Sequence, residues 1–184
     1  MINGMDITFR STLGGNDRED IRQILESTGV FYDFEVRVAL EIVDDFLSDH
    51  SGSEYFFIVA EENGKAVAYI NFGPTPCTQV SWDIYWIAVR NDLKNKGLGK
   101  ILLKMAEDSI REKKGVNIWV ETSSRKDYDP TRAFYLKQGY RVASELTDFY
   151  NYSDNKVIFH KLIPENVLHI SGQREDNKIL SGEG

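Results

Sequence analysis

Residues 94–100, Lys-Asn-Lys-Gly-Leu-Gly-Lys, place two closely spaced glycines among three lysines, a combination that can bind an anion. The preceding residues 85–89 are all apolar or aromatic and predict a buried strand. After the glycines, apolar residues recur at the spacing of an amphipathic helix whose end is predicted at Gly115: Leu98, Ile101, Leu102, Met105, Ala106 and Ile110. A strand that runs through glycines into a helix leaves unpaired N–H groups at the positive end of the helix dipole. The sequence therefore predicts a site for a phosphorylated ligand.

Two common nucleotide-binding motifs do not fit these glycines. A P-loop needs a glycine five positions before Gly99, where Lys94 stands, and a Ser or Thr after Lys100, where Ile101 stands. A dinucleotide-binding motif needs a third glycine where Leu102 stands. Residues 90–104 also hold five Lys or Arg residues against a single acidic residue, in a chain that is acidic elsewhere. An anion site of another kind explains this cluster, and a plain turn beside a solvated helix face is the alternative.

The composition indicates one folded, acidic domain: the chain has 184 residues, 41% of them hydrophobic, and a net charge of −7. An acidic chain is a poor match for nucleic acid, so we expect no nucleic-acid partner. No apolar run approaches the ~20 residues that span a bilayer, so we expect no membrane partner. A single cysteine, Cys77, and a start without signal-peptide features predict a cytoplasmic location.

Hydrophobic periodicity and turn residues predict an α+β fold with the order β, α, α, β, β, β, α, β, α, β, β. The predicted strands are 6–11, 55–62, 65–72, 80–89, 116–122, 140–149 and 156–162, and the predicted helices begin at a capping box formed by Asn16 and Glu19, at 34, at 98 and at 130. The second helix has a wider apolar face than one packing stripe needs, which predicts burial on two sides or a substrate cleft. Strands 85–89 and 116–122 should be parallel neighbours, since a helix crosses between them.

A second motif, Ala133-Phe134-Tyr135-Leu136-Lys137-Gln138-Gly139-Tyr140, lies on the last predicted helix. It resembles the A-x-x-x-Tyr-x-x-x-Gly-Phe segment of the GNAT superfamily of N-acetyltransferases. Residues 94–99 are similar to the Arg/Gln-x-x-Gly-x-Gly/Ala loop of the same family, with Lys94 in place of Arg or Gln. The resemblance covers residues 6–162 and leaves 163–184 as a polar C-terminal tail. It implies a GNAT fold: a three-layer structure with a mixed, mostly antiparallel sheet of about seven strands, four helices and a splayed parallel strand pair.

The resemblance also implies acetyl-CoA as cosubstrate and no metal. Its pantetheine would pair with the backbone of Ile87, Ala88 and Val89, and its pyrophosphate would lie over the glycine loop, residues Lys94, Asn95, Lys96, Gly97, Leu98, Gly99 and Lys100. Glycine would be needed at 97 and 99 because a Cβ would block the approach of the pyrophosphate. Tyr128 or Asp129 would contact CoA in place of the family's asparagine.

The chemistry implied is direct acetyl transfer to a primary amine, with Tyr135 as general acid toward the CoA sulfur. The alternative for Tyr135 is an ordinary core aromatic residue. Three carboxylates are candidates for the general base: Glu121, which resembles a family glutamate although its spacing to Tyr135 is two residues longer, then Asp83, then Glu35.

Negative charge favours a cationic acceptor, either a small amine, such as an amino acid derivative or an aminoglycoside-like compound, or a peptide α-amine. Three alternative functions stay open: transfer of another acyl group, a non-catalytic domain that binds acyl-CoA as a sensor or assembly module, and a nucleotide-binding protein. The oligomeric state is also open, with a homodimer through the last strands as one possibility.

Overall fold

The computed structural model of the protein describes residues 6–48 and 54–164. Its strands and α-helices are β1 Ile7–Arg10, α1 Asp17–Thr28, α2 Asp33–Ser48, β2 Phe56–Glu62, β3 Lys65–Pro74, β4 Ser81–Val89, α3 Leu98–Glu112, β5 Asn117–Ser123, α4 Asp129–Lys137, β6 Arg141–Asn151 and β7 Asp154–Leu162. Short 3-10 helices, Asn91–Leu93 and Lys126–Tyr128, follow β4 and β5. This order confirms the predicted one. The predicted tail lies outside the described residues from 165 onward, and its first residue, Ile163, packs in the core.

The strands form a single sheet in the order β1-β2-β3-β4-β5-β7-β6. Every neighbouring pair is antiparallel except β4 and β5, which are parallel, as the helix between them predicted. The hairpin between β2 and β3 turns at Asn63 and Gly64, whose φ angles of 51° and 79° are both positive. Such angles suit the two-residue turns that match the twist of a hairpin. No helix in the described part of the chain is long and apolar enough to cross a membrane.

The helices cover both faces of the sheet. One hydrophobic cluster joins α1 and α2 to Val59 and Tyr69, and a second joins α3 and α4 to Ile58 and Ala68. Because successive residues of a strand point to opposite faces, these clusters lie on opposite sides of the sheet. We refer to the two sides as the α1–α2 face and the α3–α4 face.

The parallel pair opens into a gap partway along its length. Pairing between β4 and β5 ends where Ile84 lies opposite Val120. Beyond this point β4 continues to Val89 and β5 to Ser123, unpaired with each other. We call this opening the strand gap, and it confirms the splayed pair that was predicted.

A β-bulge in β4 accompanies the gap. Ile84 pairs with Phe72 and Trp86 pairs with Asn71, so Tyr85 is an extra residue with no counterpart on β3. An extra residue on one strand bends that strand and increases its local twist. The bulge therefore explains why β4 turns away from β5 at this position.

The predicted capping box at the start of α1 is wrong. Asn16 occupies the N-cap position but makes no side-chain cap, and Glu19 pairs with Arg22 instead. Asp17 stabilises the helix start by accepting a hydrogen bond of 2.8 Å from the Gly14 N–H. A carboxylate in the first turn is also favourable beside the helix dipole.

The end of α3 also differs from the prediction. The left-handed residue there is Lys114, with φ of 65°, and Gly115 follows it. A Cβ on Gly115 would lie 2.4 Å from Ile110 Cγ2 and 2.5 Å from Trp82 Cδ1. Glycine is therefore required at 115 by packing between α3 and β4, and not by a positive φ.

Candidate active site

The start of α3 presents backbone N–H groups that could hold an anion. Gly97 is the N-cap with φ of 93°, and the Ile101 N–H donates to the Gly97 carbonyl at 3.2 Å. The N–H groups of the three residues between them, which begin the helix, have no acceptor within it. The first turn contains no acidic residue. The arrangement therefore fits the pyrophosphate that the sequence placed over this loop.

The two glycines differ in what they contribute. Gly97 holds a backbone angle that other residues rarely adopt, and a Cβ there would meet nothing within 4 Å. At Gly99 a Cβ would make ordinary contacts of 3.8 Å with Phe134 and Val89. Protein contacts alone would thus tolerate alanine at 99, so packing within the protein does not explain the glycine there.

The five cations of residues 90–104 are used in different ways. Lys94 Nζ donates to the Thr28 carbonyl at 3.1 Å, so its ammonium group caps the end of α1, and burial lowers its pKa. Arg90 and Lys104 form ion pairs with neighbouring acidic residues. Lys96 and Lys100 flank the glycines themselves.

The backbone of β4 faces the strand gap at two of the three predicted positions. The Arg90 N–H donates to the Val67 carbonyl on β3 at 2.9 Å. In an antiparallel ladder alternate residues share that direction, so the polar groups of Ala88 also point to β3. Those of Ile87 and Val89 point the other way, toward the gap. Ile87 and Val89 can therefore pair with an extended ligand, whereas Ala88 is occupied by the sheet.

Tyr135 lies in the core beneath the α3–α4 face. It is 2% exposed and packs against Phe134, Tyr140 and Phe159. Burial raises the pKa of its phenol well above the usual range, and the nearby Tyr128 adds to the effect. The phenol is therefore protonated at physiological pH and carries a proton that it can donate.

A cleft of about 800 Å³ opens on the other side of the gap, along the α1–α2 face. It is lined by Phe31, Tyr32, Phe34, Glu35, Val38, Asp83, Ile84, Tyr85, Trp86, Trp119, Glu121, Thr122, Ser123, Arg125, Tyr128, Tyr150, Asn151 and Asp154. All three base candidates and Tyr128 are among these residues, while Tyr135 and the glycine loop are not. Val38 of α2 is also present, so the extra apolar width of that helix forms a cleft wall.

The three candidate carboxylates have different environments. Asp83 has no basic partner among the described residues, and burial raises its pKa, with a further increase from the charge of Glu121 and an opposing effect of the Thr75 hydroxyl. Glu121 is ion-paired to Lys156 Nζ at 2.6 Å, and its side chain is 50% exposed. Glu35 accepts a hydrogen bond of 2.7 Å from the Tyr32 N–H. Asp83 is thus the carboxylate best suited to accept a proton.

Burial also raises the pKa of Tyr128 to about 12. Glu35 raises it further, whereas the Arg125 cation opposes the shift. Like Tyr135, Tyr128 is therefore protonated at physiological pH, but it faces the cleft.

Several cleft residues were not anticipated from the sequence. Arg125 donates to the Val30 carbonyl at 3.0 Å, and its guanidinium lies 4.2 Å from the centroid of the Tyr32 ring, so it links two walls of the cleft. Trp119 could have been found, because it alternates with Glu121 on one strand face. Arg125, Tyr150 and Asp154 carry no local signal that separates them from surface residues. No group of His, Cys, Asp and Glu suited to a metal ion occurs in the part of the chain that the structure describes.

Comparison with known proteins agrees with this geometry. The profile of the acetyltransferase (GNAT) family matches residues 18–140. A protein assigned to the GNAT family from Desulfovibrio desulfuricans is 35% identical, with a TM-score of 0.83 over 85% of this chain and 99% of that chain. No curated protein sequence matches the chain significantly.

Two more distant structures show the same fold. The ribosomal-protein-S18-alanine N-acetyltransferase from Escherichia coli is 19% identical, with a TM-score of 0.66 over 86% of this chain and 94% of that chain. The PaiA N-acetyltransferase from Thermoplasma acidophilum, solved with coenzyme A, is 19% identical, with a TM-score of 0.66 over 86% and 99%. The family match over more than half of the chain and the 35% identical structure together establish that the protein belongs to the GNAT family of acetyltransferases.

Proposed function

We propose that the protein transfers an acetyl group from acetyl-CoA to a primary amine by direct attack. One observation carries the proposal: the candidate acid and the candidate bases lie on opposite faces of the sheet that contains the strand gap. Tyr135 and the start of α3 are on the α3–α4 face, and Asp83 and Glu121 line the cleft on the α1–α2 face. An amine that enters from the cleft therefore meets, at the gap, a thioester held from the other side.

The residues toward the cosubstrate fit CoA. The unpaired N–H groups at the start of α3 suit a pyrophosphate, and Lys96 and Lys100 supply positive charge. The β4 backbone at Ile87 and Val89 suits the extended pantetheine arm. The neighbour from Thermoplasma acidophilum was solved with coenzyme A, which supports this choice of ligand.

Asp83 takes the proton from the acceptor ammonium group. Its raised pKa makes it a stronger base than an exposed aspartate, and it has no ion-pair partner to displace among the described residues. Glu121 acts as a second negative charge that keeps the pKa of Asp83 high. Tyr135 donates its proton to the departing sulfur, and the second proton that the nitrogen loses as the amide forms restores the phenol.

An acetylation assay over amines, amino acids, polyamines, aminoglycosides and N-terminal peptides tests the proposal, with free thiol release as readout. We expect at least one primary amine to be acetylated. Tyr135→Phe should retain CoA affinity and lower kcat by about 10²-fold, since it keeps the packing and removes only the donor. Tight binding of acetyl-CoA with no turnover on any amine would overturn the proposal and favour a domain that only binds acyl-CoA.

A further inference from the structure

We infer that the acceptor is a small primary amine carried on an apolar stem the size of an aromatic ring, and not a hydroxyl-rich amine. The inference rests on the proposed function and specifies its substrate class. It is carried by the chemistry of the cleft walls, by the exposure of apolar side chains at the cleft mouth, and by the pairing of the polar groups inside.

Aromatic side chains make up eight of the 18 residues that line the cleft. Their rings come from five places in the chain: Phe31, Tyr32, Phe34, Tyr85, Trp86, Trp119, Tyr128 and Tyr150. Aromatic walls provide large apolar contact area and also attract a cation through their ring faces. A protonated amine with an apolar stem satisfies both properties at once.

The mouth of the cleft has large apolar and aromatic side chains that remain about half exposed to solvent. Tyr32, Phe34, Val38 and Tyr150 are 49%, 57%, 44% and 47% exposed. The rings of Tyr32 and Phe34 stack with centroids 5.5 Å apart, so they present one continuous apolar surface. A contiguous apolar surface at the rim of a cleft marks a place where apolar ligand area is buried.

Most charged groups in the cleft already have partners within the protein. Glu121 is paired with Lys156 at 2.6 Å. Asp154 accepts from the Ser123 hydroxyl at 2.5 Å and lies 3.6 Å from Arg125. Glu35 accepts a hydrogen bond from the Tyr32 N–H just before its own helix, α2.

Among the described residues, Asp83 is the cleft carboxylate without such a partner, which provides for one ammonium group. A hydroxyl-rich amine would find the other charged groups of the cleft already engaged, and only neutral hydroxyl and amide groups of the lining would remain for it. Polar groups that lose water without gaining a partner weaken binding.

Matched acceptors test the inference. With saturating acetyl-CoA, we expect kcat/KM for 2-phenylethylamine to exceed that for glucamine, a polyhydroxylated primary amine, and for kanamycin by about 30-fold or more. Phe34→Ser should lower kcat/KM for 2-phenylethylamine about tenfold through KM, a larger loss than for ethylamine, which has no aromatic stem to contact this ring. Val142→Ser is the matched control, since this residue is 50% exposed on β6 and does not line the cleft.

The possible outcomes separate the two proposals. Equal or better turnover of glucamine or kanamycin overturns the inference and leaves the proposed function intact. A peptide α-amine that is tenfold better than 2-phenylethylamine also overturns it, because the acceptor would then be a polypeptide. If no amine is acetylated, the proposed function fails, and quenching of tryptophan fluorescence still reports whether 2-phenylethylamine enters the cleft beside Trp86 and Trp119.

Discussion

At the residue scale, Asp83 and its neighbours predict a specific pH dependence. The pKa of Asp83 is raised by burial and by the charge of Glu121. Activity should therefore fall as the pH drops through this raised pKa, because protonated Asp83 cannot accept a proton. Asp83→Asn should lower kcat by about 10²-fold or more and remove the acidic limb of the kcat/KM profile.

Two further substitutions should shift the pKa of Asp83 in opposite directions. Glu121→Gln removes a neighbouring negative charge, which stabilises ionised Asp83 and shifts the acidic limb to lower pH. Lys156→Met leaves the charge of Glu121 without its partner at 2.6 Å and should shift the limb to higher pH. If the acidic limb stays at the same pH in both variants, the base is a residue other than Asp83. The same conclusion holds if the acidic limb disappears in Glu121→Gln.

At the scale of elements, substitutions in the glycine loop between β4 and α3 can distinguish an effect on CoA binding from an effect on folding. Gly99→Ala adds a methyl group whose protein contacts would be 3.8 Å, so the domain should keep its thermal stability. The same methyl group adds bulk to the first turn of α3, whose N–H groups are proposed to bind the pyrophosphate, and we expect CoA affinity to fall about tenfold or more. Calorimetric titration with CoA, together with thermal unfolding, measures both effects.

Gly97→Ala is the matched comparison for this test. At 97 the backbone has φ of 93°, so alanine should cost about 1 kcal/mol or more of stability before any ligand is added. Unchanged CoA affinity in Gly99→Ala would show that the pyrophosphate does not lie over this turn.

At the scale of the whole molecule, a largely buried ionic network connects β7 to α3. Glu107 on α3 accepts a hydrogen bond of 3.0 Å from the Tyr140 hydroxyl and lies 2.8 Å from Lys161 Nζ on β7. Lys161 also donates to the Gln138 carbonyl at the end of α4 at 2.9 Å. Through Glu107 and Lys161, this network connects α3, β7 and the end of α4.

Removing this carboxylate should destabilise the fold. Glu107→Ala leaves a lysine and a buried hydroxyl without their acceptor, and we expect a loss of about 2–4 kcal/mol in the free energy of unfolding. Glu112→Ala, at an exposed position of the same helix, should change stability by less than about 0.5 kcal/mol. Denaturant unfolding measures both, and equal effects of the two substitutions would contradict a stabilising role for the network.

The sequence predicted most of the fold because its signals are local. Alternating strands, the amphipathic stripe of α3 and the Asn63-Gly64 turn depend on neighbours within a few residues, and the element order followed from them. The two element ends that were interpreted wrongly, at Asn16 and at Gly115, depend on partners that the end motifs do not specify. Glu19 pairs with Arg22, and Gly115 is packed against Ile110 of α3 and Trp82 of β4.

By itself, the sequence determined the order of elements, the parallel pair, the glycine loop and the set of candidate carboxylates. Only the tertiary structure decided which carboxylate is unpaired, which face each candidate occupies and how aromatic the cleft is. Lys94 turns to a carbonyl 66 residues earlier and Arg125 to one 95 residues earlier. Such partners are chosen by the packing of the chain as a whole, so no local pattern around either residue specifies them.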